Sequence, residues 1–592
     1  MDSYAKQVSR AQTRPVSTAS TPSSSSPTPP SSGSPEASVS RPQRRVGQPS
    51  GAWADGDRAP LNHNEAFKQE DDGLNVRQRI IDTYSREGFG SILDDDLRGR
   101  MRWWGLYTQR KPGIEGGRTA TLEAAELDAE YFMLRIRSDG GALSGEQLRT
   151  IADISTEFAR GTADVTDRQN IQLHWIRIED VPEIWDRLEA VRLMTTQACG
   201  DTPRVILGSP VAGIDADEII DGTPALEAIR DRYIGDPEFS NLPRKFKTAI
   251  SGSPSLDVTH EANDISFVGV DHPEHGPGFD VWVGGGLSTN PIFARRLGAW
   301  VPLEEVPEVW KGVVSIFRDH GYRRLRTKAR LKFLMADWGP ERFREVLERD
   351  YLRRALLDGP PPPDPGDRRR DHVGVHRQKD GRYWVGVAPI AGRLSGDTLV
   401  RLADLASTHA TGRVRLTAQQ KLLVLDVPQV QVDALTAALE QIGLTSAPSE
   451  FRRGVLACTG IEFCKLALVE TKARARTAVE ELEKRLPGFD VPFTLHVNGC
   501  PNSCARFQVA DVGLKGLIMQ DEQGNDVEGF QVHLGGSIGA EARLARKTRQ
   551  LRVTADELPD YVERLGRRYL DQRDGAEPFG QWARRVDEAQ LR

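Results

Sequence analysis

FMLRIRSDGGALSGEQLRTIADISTEFARGTADVTDRQNIQLHWI (132–176) and YWVGVAPIAGRLSGDTLVRLADLASTHATGRVRLTAQQKLLVLDV (383–427) align at an offset of 251 without a gap. Eleven of the 45 positions are identical, and about a third of the others set apolar against apolar. The same offset lays GFDVWVGGGLS (278–288) on GFQVHLGGSIG (529–539). Two distant stretches that keep one register point to a duplication. Each copy reads as strand, turn, helix, strand. A short apolar strand turns at Gly140–Gly141 or at Gly392. A helix follows, with one apolar stripe at Leu148, Ile151, Ala152 and Ala159, or at Leu399, Leu402, Ala403 and Ala410. IQLHWIRI then alternates as a half-buried strand does. The expected fold class is α/β (α+β), two related halves stacked as a pseudo-twofold pair.

Around this repeat the chain has 592 residues, enough for roughly three or four folding units. It carries 79 Lys+Arg against 85 Asp+Glu, a formal charge of −6. That balance excludes a strongly basic nucleic-acid binder, since no positive excess exists to neutralise phosphates. No apolar run approaches the ~18 residues of a membrane span. The opening MDSYAKQVSRAQTR lacks the apolar core of a secretory signal. Residues 1–60 are Ser/Pro-rich, as in STASTPSSSSPTPPSSGSPEASVSRP, and are expected to be a disordered tail, with a transit peptide as the competing reading. A second break is DGPPPPDPGDRRR (358–370), whose prolines continue neither a helix nor a central strand. Five cysteines are too few for a disulfide scaffold and odd in number, which fits a reduced, cytoplasmic protein with ligating thiols.

Four of the five sit in the second half: Cys458 and Cys464 in ACTGIEFCK, Cys500 and Cys504 in HVNGCPNSCARF. C-x5-C followed by C-x3-C is a poor match to zinc hairpins, which prefer two to four intervening residues. An iron–sulfur cube tolerates varied spacing, and the Gly, Pro and Asn near Cys500 and Cys504 suit a tight loop whose N–H groups point at sulfur. A 4Fe-4S cluster is the leading reading, with zinc next and four unrelated cysteines last.

The C-x5-C…C-x3-C pattern with its NGCPN core resembles the siroheme-dependent sulfite and nitrite reductases. RWWGLYTQR (102–110), RIRSDGG (135–141), DRQNIQLH (167–174), ACGDTPR (198–204) and LPRKFKTAISG (242–252) agree with that family in order. The resemblance covers about residues 60–590. It implies ferredoxin-like half-domains at 61–210 (with an N-terminal extension) and 373–450. It likewise implies a siroheme-binding domain at 211–357, a linker at 358–372 and an iron–sulfur/siroheme domain at 451–592. It implies two cofactors, siroheme and a 4Fe-4S cluster sharing one thiolate, by motif position Cys504, with Cys458, Cys464 and Cys500 completing the cube.

By the same residue matching, Arg135, Arg204, Lys245 and Lys247 are the anion-facing cations that attract the substrate and donate protons. Arg102, Arg168, Gln172, His174 and Asn502 are candidates for holding the carboxylates of siroheme. Arg168 and Gln172 have a bland alternative as loop polar residues, and His174 as a core histidine. Arg137 reads as structural or siroheme-facing. Asp164 stands where many relatives carry an arginine. At offset 251, Arg135 falls on Gly386, Arg137 on Ala388, Lys245 on His496 and Lys247 on Asn498, so one copy has the charges and the other the cysteines. If Tyr107 and Cys199 both line the pocket, a thioether between them is conceivable beside a redox-active iron; a packed tyrosine and a buried thiol are the alternative.

No G-x-G-x-x-G stands in a strand–turn–helix setting, and GGGLS (284–288) recurs in the other copy as a fold element. Electrons are therefore expected from a separate protein. The resemblance implies a small acidic ferredoxin, with RRLRTKARLK (323–332) and RRRDHVGVHR (368–377) as candidate docking clusters. The substrate reads as sulfite, with nitrite as the alternative, and the protein as a monomer. An iron–sulfur electron carrier and a zinc-stabilised scaffold are the other classes; both leave the cations and the duplication unexplained.

Overall fold

Among the described residues the strands form four sheets, and two of them are images of each other. The computed structural model describes residues 62–592 apart from Asp367 and Ala540, all within one contact-linked unit, Gln48–Arg592. The expected 1–60 tail lies outside the described residues.

The first sheet runs Leu106–Arg110, Asp128–Ile136, Ile171–Ile176, Thr162–Val165, and ends on Arg393–Ser395 from the second copy. Its image runs Gly374–Arg377, Tyr383–Val387, Leu422–Val427, Val414–Leu416, and ends on Ala142–Leu143 from the first copy. Each half thus completes the other's sheet. Leu394 pairs with Ala163 as Leu143 pairs with Val414, the same pairing displaced by 251. The turns that launch the exchanged strands need glycine. Gly141 and Gly392 have φ of 69° and 70°, and a Cβ on either would lie 2.4 Å from a carbonyl oxygen, of Leu416 and Val165 respectively. Helices Gly145–Phe158 and Gly396–His409 start at Ser144 and Ser395, whose side chains accept the N–H three residues on. Their apolar stripes bury Leu148, Ile151, Leu399 and Leu402 in one core shared by both halves.

The other two sheets extend these halves. One runs Leu357–Asp358, Arg295–Val301, Gly276–Val283, Ile265–His272, Thr248–Ser251, Leu207–Gly208; the other runs Val455–Ala457, Leu495–Asn498, Val512–Gln520, Asp526–Leu534, Arg546–Thr554. Both begin with three parallel strands in sequence and continue antiparallel. Here the offset of 251 fails. Thr248 pairs with Ile265 as Leu495 pairs with Val512, and Lys247 N–H bonds the Asp264 carboxylate as Thr494 N–H bonds that of Asp511. Lys245 and Lys247 therefore fall on Pro492 and Thr494, not on His496 and Asn498. The offset recovers at the next hairpin, because paired residues Ile265 and Val283 are 18 apart whereas Val512 and Leu534 are 22 apart.

No helix among the described residues is long and apolar enough to cross a membrane.

Candidate functional site

The four cysteines come from three turns anchored to one sheet. Cys458 follows strand Val455–Ala457, whose last residue is bracketed by Gln420: Nε2 donates to Ala457 O (3.0 Å) and Oε1 accepts Ala457 N–H (3.2 Å). Cys500 and Cys504 follow the neighbouring strand Leu495–Asn498, and Asn498 Oδ1 accepts Ala505 N–H at 2.8 Å, closing the loop between them. Cys464 hangs on the segment that Arg110 holds, with Arg110 N–H donating to Phe463 O at 2.8 Å. Backbone amides aim at sulfur: Gly499 N–H donates to Cys458 Sγ at 3.3 Å, Leu466 and Ala467 donate to Cys464, and Asn502 to Cys500. All four sulfurs lie within electrostatic reach of one another. Burial, then the neighbouring thiol of Cys504, pushes Cys458 up to about 12 and raises Cys464 and Cys500 as well. Thiolates gathered this way need a cation to share. Among the described residues no three His, Cys, Asp or Glu groups converge on one bare ion.

On the other side of Cys504 lies a wall of cations. Arg135, on strand Asp128–Ile136, donates through Nη1 to Cys199 Sγ (3.0 Å) and through Nη2 to Gln172. Burial opposes its charge, but Cys199, Tyr107, Cys504 and Asp167 outweigh that cost and raise its pKa. One guanidinium thus reaches both the Tyr107–Cys199 pair and the exposed Cys504. Arg204 joins it on the Ala198 carbonyl and donates through Nε to Gly200 O at 3.0 Å. Lys245 and Lys247 flank Phe246, which bridges to Pro203, so both ammonium groups leave the same side of the strand. Among the described residues neither side chain forms a hydrogen bond or ion pair. Burial, then Lys247, Arg244 and Arg204, holds Lys245 well below the usual lysine range. Burial, then Arg168 and Arg330, brings Lys247 down to about 7. Arg168 donates to Asn263 Oδ1 and Val205 O, both at 2.6 Å, and burial lowers it to about 10.

Five charged groups of this wall carried no signal in the sequence reading. Asp167 reaches Arg135, Arg168, Lys247 and Arg506. Arg244 lies beside Lys245, and Arg330 forks onto Asp264 (3.1 and 2.8 Å), the carboxylate that also accepts Lys247 N–H. Arg506 donates to Ala418 O at 2.6 Å and Gln419 Oε1 at 2.7 Å.

Other expected residues are placed differently. Arg102 is half-buried with its guanidinium 5.6 Å over the Tyr107 ring. Gln172 accepts from Arg135 and donates to Thr459 beside Cys458 (3.4 Å). Asn502 is exposed on the cysteine loop. His174 is not among the cations: its ring stacks on Phe463 at 3.8 Å, 3.4 Å from Asp164, packing the Cys464 segment against the first sheet. Arg137 is structural, paired with Asp139 (2.7 Å) and donating to the carbonyls of Gln197, Pro203 and Arg204. Asp164 holds the halves together, accepting from Arg393 at 2.5 Å with Lys472 3.5 Å away. The two basic runs are largely spent inside the fold. Arg323 bonds Glu65, Arg326 bonds Asp201, and Lys332 donates to the carbonyls of Gly286 and Leu287. Arg369 bonds Glu450, Arg370 donates to Ile538 O, and His372 bonds Asp257. Lys328, Arg368 and Arg377 remain exposed.

The site therefore has two fitted parts: a cage of sulfurs lined by amide donors, and a wall in which cations outnumber the carboxylates Asp167 and Asp264, an excess that a multiply anionic occupant would relieve. A 4Fe-4S cube fits the first, and a polycarboxylate macrocycle with a small anion fits the second.

Comparison with known proteins agrees with this division. The family model for the nitrite and sulphite reductase 4Fe-4S domain matches residues 199–355 and 449–592. That for the nitrite/sulfite reductase ferredoxin-like half domain matches 125–191 and 376–442. The sulfite reductase (ferredoxin) of Mycobacterium tuberculosis is 58% identical over 546 residues, covering 92% of this chain and 98% of the relative. The assimilatory ferredoxin-dependent nitrite reductase of Haloferax mediterranei is 37% identical over 553 residues, covering 88% and 90%. The solved structure of the Mycobacterium tuberculosis NirA protein superposes with a TM-score of 0.89 at 57% identity, covering 91% of this chain and 99% of that one.

Proposed function

Because the chain belongs to the nitrite and sulphite reductase family, we propose that it is a ferredoxin-dependent sulfite reductase, taking six electrons from reduced ferredoxin to turn sulfite into sulfide. It carries siroheme and a 4Fe-4S cluster. Cys458, Cys464, Cys500 and Cys504 would hold the cluster, with Cys504 shared. Arg102, Arg168, Gln172 and Asn502 would face the macrocycle's carboxylates. When bound, the cofactor pair supplies electrons singly to an anion held at the haem iron.

The protein's own part is electrostatic. The guanidinium forks of Arg135 and Arg204 fix where an oxyanion rests. Lys247, with a pKa near neutrality, carries a proton on Nζ that it can release as an S–O bond breaks and oxygen leaves as water. Lys245 is held well below the usual lysine range by burial and its cationic neighbours, and an entering anion favours its charged form. The observation that carries this reading is the reach of Arg135, which meets Cys199 and Tyr107 on one side and Cys504 on the other. A thioether joining Tyr107 to Cys199 would remove one hydrogen from each, which the mass of the tryptic peptide reads.

Sulfite is favoured over nitrite because the relatives at 57–59% identity are sulfite reductases whereas the nitrite reductases stand at 35–37%. Comparing kcat/KM for the two anions with reduced ferredoxin tests it, and a higher value for nitrite would reverse the assignment. The chain acts as a cytoplasmic monomer. For the donor, Lys515, Lys547 and Arg552 form a cluster without ion pairs on the sheet face that Lys515 shares with Asn498, beside the cysteine loop. Charge reversal at Lys547 and Arg552 should raise KM for ferredoxin, most at low salt, and leave turnover with a small-molecule reductant unchanged.

A further inference from the structure

The first half contains a cavity of about 420 Å³ between helix Thr223–Tyr233 and strand Val414–Leu416. Its walls have images in the second half. Ser209 N–H bonds Ile250 O as Cys458 N–H bonds Val497 O, and Ile219 N–H bonds Gly252 O as Leu468 N–H bonds Gly499 O. Residues 209–222 therefore run against 458–471 without a gap, and Thr223 matches Lys472, each the first residue of its helix. Gly140 matches Ala391, and Arg415 matches Asp164, through the pairings Asp164–Gln172 and Arg415–Leu423.

In the second half this volume is filled. Lys472 extends into it, donates to Ala391 O, and sits 3.5 Å from Asp164. In the first half the charge is reversed and no partner of opposite sign touches it. Arg415 stands for Asp164, and the short Thr223 leaves open the space that Lys472 takes. Arg415 is only 8% exposed. Its Nη1 donates to the carbonyls of Pro210 and Ala212 (3.3 and 2.8 Å), and among the described residues it forms no ion pair. Asp221, Glu218 and Asp426 act on it from a distance, but burial outweighs them and holds its pKa below the usual arginine range. An anion in direct contact would offset that burial.

We propose that this cavity binds a small organic carboxylate, whose negative charge pairs with Arg415 as the Lys472 ammonium pairs with Asp164 in the image site. The volume exceeds what a lone inorganic oxyanion fills, and Ala142, Leu226 and Ile250 give a carbon skeleton apolar wall to lie on. Asp139 and Asp231 on the wall are already paired with Arg137 and Arg230, Glu227 is the remaining carboxylate, and the exposed Arg192, with no ion pair among the described residues, offers a second cation for a second acidic group. The far wall is Arg137, which donates to the Pro203 and Arg204 carbonyls, so the occupant would lie behind the loop that carries Arg204. The inference goes beyond sulfite reduction and stands without it.

Citrate is the probe, titrated calorimetrically into the holoenzyme in sulfite-free buffer while the visible spectrum is followed. The expected result is one citrate per chain with the spectrum unmoved, sulfate binding more weakly. Affinity should fall about tenfold or more in Arg415→Met, which removes the cation, and in Thr223→Phe, which fills the space and keeps it. No binding at millimolar citrate, binding that survives both substitutions, or binding that shifts the haem spectrum and competes with sulfite would each overturn the site. Sulfate binding as tightly as citrate would overturn the carboxylate.

Discussion

Lys247 differs from an ordinary surface lysine because it is buried, has no ion pair among the described residues, and feels Asp167 and Asp264 only from a distance. Burial and two arginines bring it to about 7, so it is charged at pH 6 and largely neutral at pH 8.5. An anion binds the charged form, and apparent affinity must therefore fall as pH rises through the lysine's pKa, by up to about tenfold per unit. Cofactor carboxylates move that window upward without changing its sign. Nitrite, whose charge is constant across this range, is the clean probe, and its KM should climb between pH 6.5 and 9. In Lys247→Arg the climb should flatten, since arginine stays protonated, while kcat falls because it gives up no proton. A KM flat with pH in the wild type would show that Lys247 does not face the anion. Lys245, Lys247 and Arg135 were legible through their match to the family's motifs; the K-x-K spacing added only that both lysines share one side of a strand. Asp167, Asp264 and Arg330 were not legible, because their partners lie far away in the chain and no local pattern marks an ion pair closed by tertiary folding.

At the scale of elements, the exchanged strands make the two ferredoxin-like halves interdependent, and glycine pays for the tight turn that launches each. At Gly141 an alanine meets both a left-handed φ and the Leu416 carbonyl, and the image position Gly392 meets Val165. Gly141→Ala should cost about 2 kcal/mol or more, from the backbone conformation and the contact together, read as a lower denaturant midpoint. Asp164 bonds Arg393 across the same junction, with Lys472 behind it. Asp164→Ala strands the buried Lys472 and leaves Arg393 to Glu462 alone, and should cost about 3 kcal/mol, whereas an exposed pair such as Arg349–Asp350 should show almost nothing. The half-domain repeat was legible because hydrogen-bonded register forbids single-residue slips in a strand with one buried face. The sheets beyond it were misaligned for the complementary reason. Loops accept insertions freely, and a hairpin longer by four residues restored the offset of 251 after it had been lost.

The whole molecule is a duplicated frame with one metal centre, and the structure gives the reason. The images of Cys458, Cys464, Cys500 and Cys504 are Ser209, Asp215, Ser253 and Asp257, by the strand pairings and by the matching left-handed residues Thr259 and Arg506. In place of a cage, Asp257 accepts hydrogen bonds from Ser209 and Ser251, each at 2.8 Å, and His372 closes the group at 2.8 Å. Hydroxyls and a carboxylate already satisfied by one another are poor ligands for a soft iron–sulfur core. The chain should therefore bind about five irons, four in the cluster and one in the haem, and never twice that number. Iron and acid-labile sulfide assays on protein made with ample iron and siroheme precursor measure this directly. Cys504→Ser should lower the haem and cluster content together if, as proposed, its sulfur would hold both, whereas Ser209→Cys should leave the iron count unchanged, since Asp257 and His372 still occupy the image site. A Cys504→Ser protein that kept its full complement of haem and cluster would break the link between the sulfur cage and the cation wall.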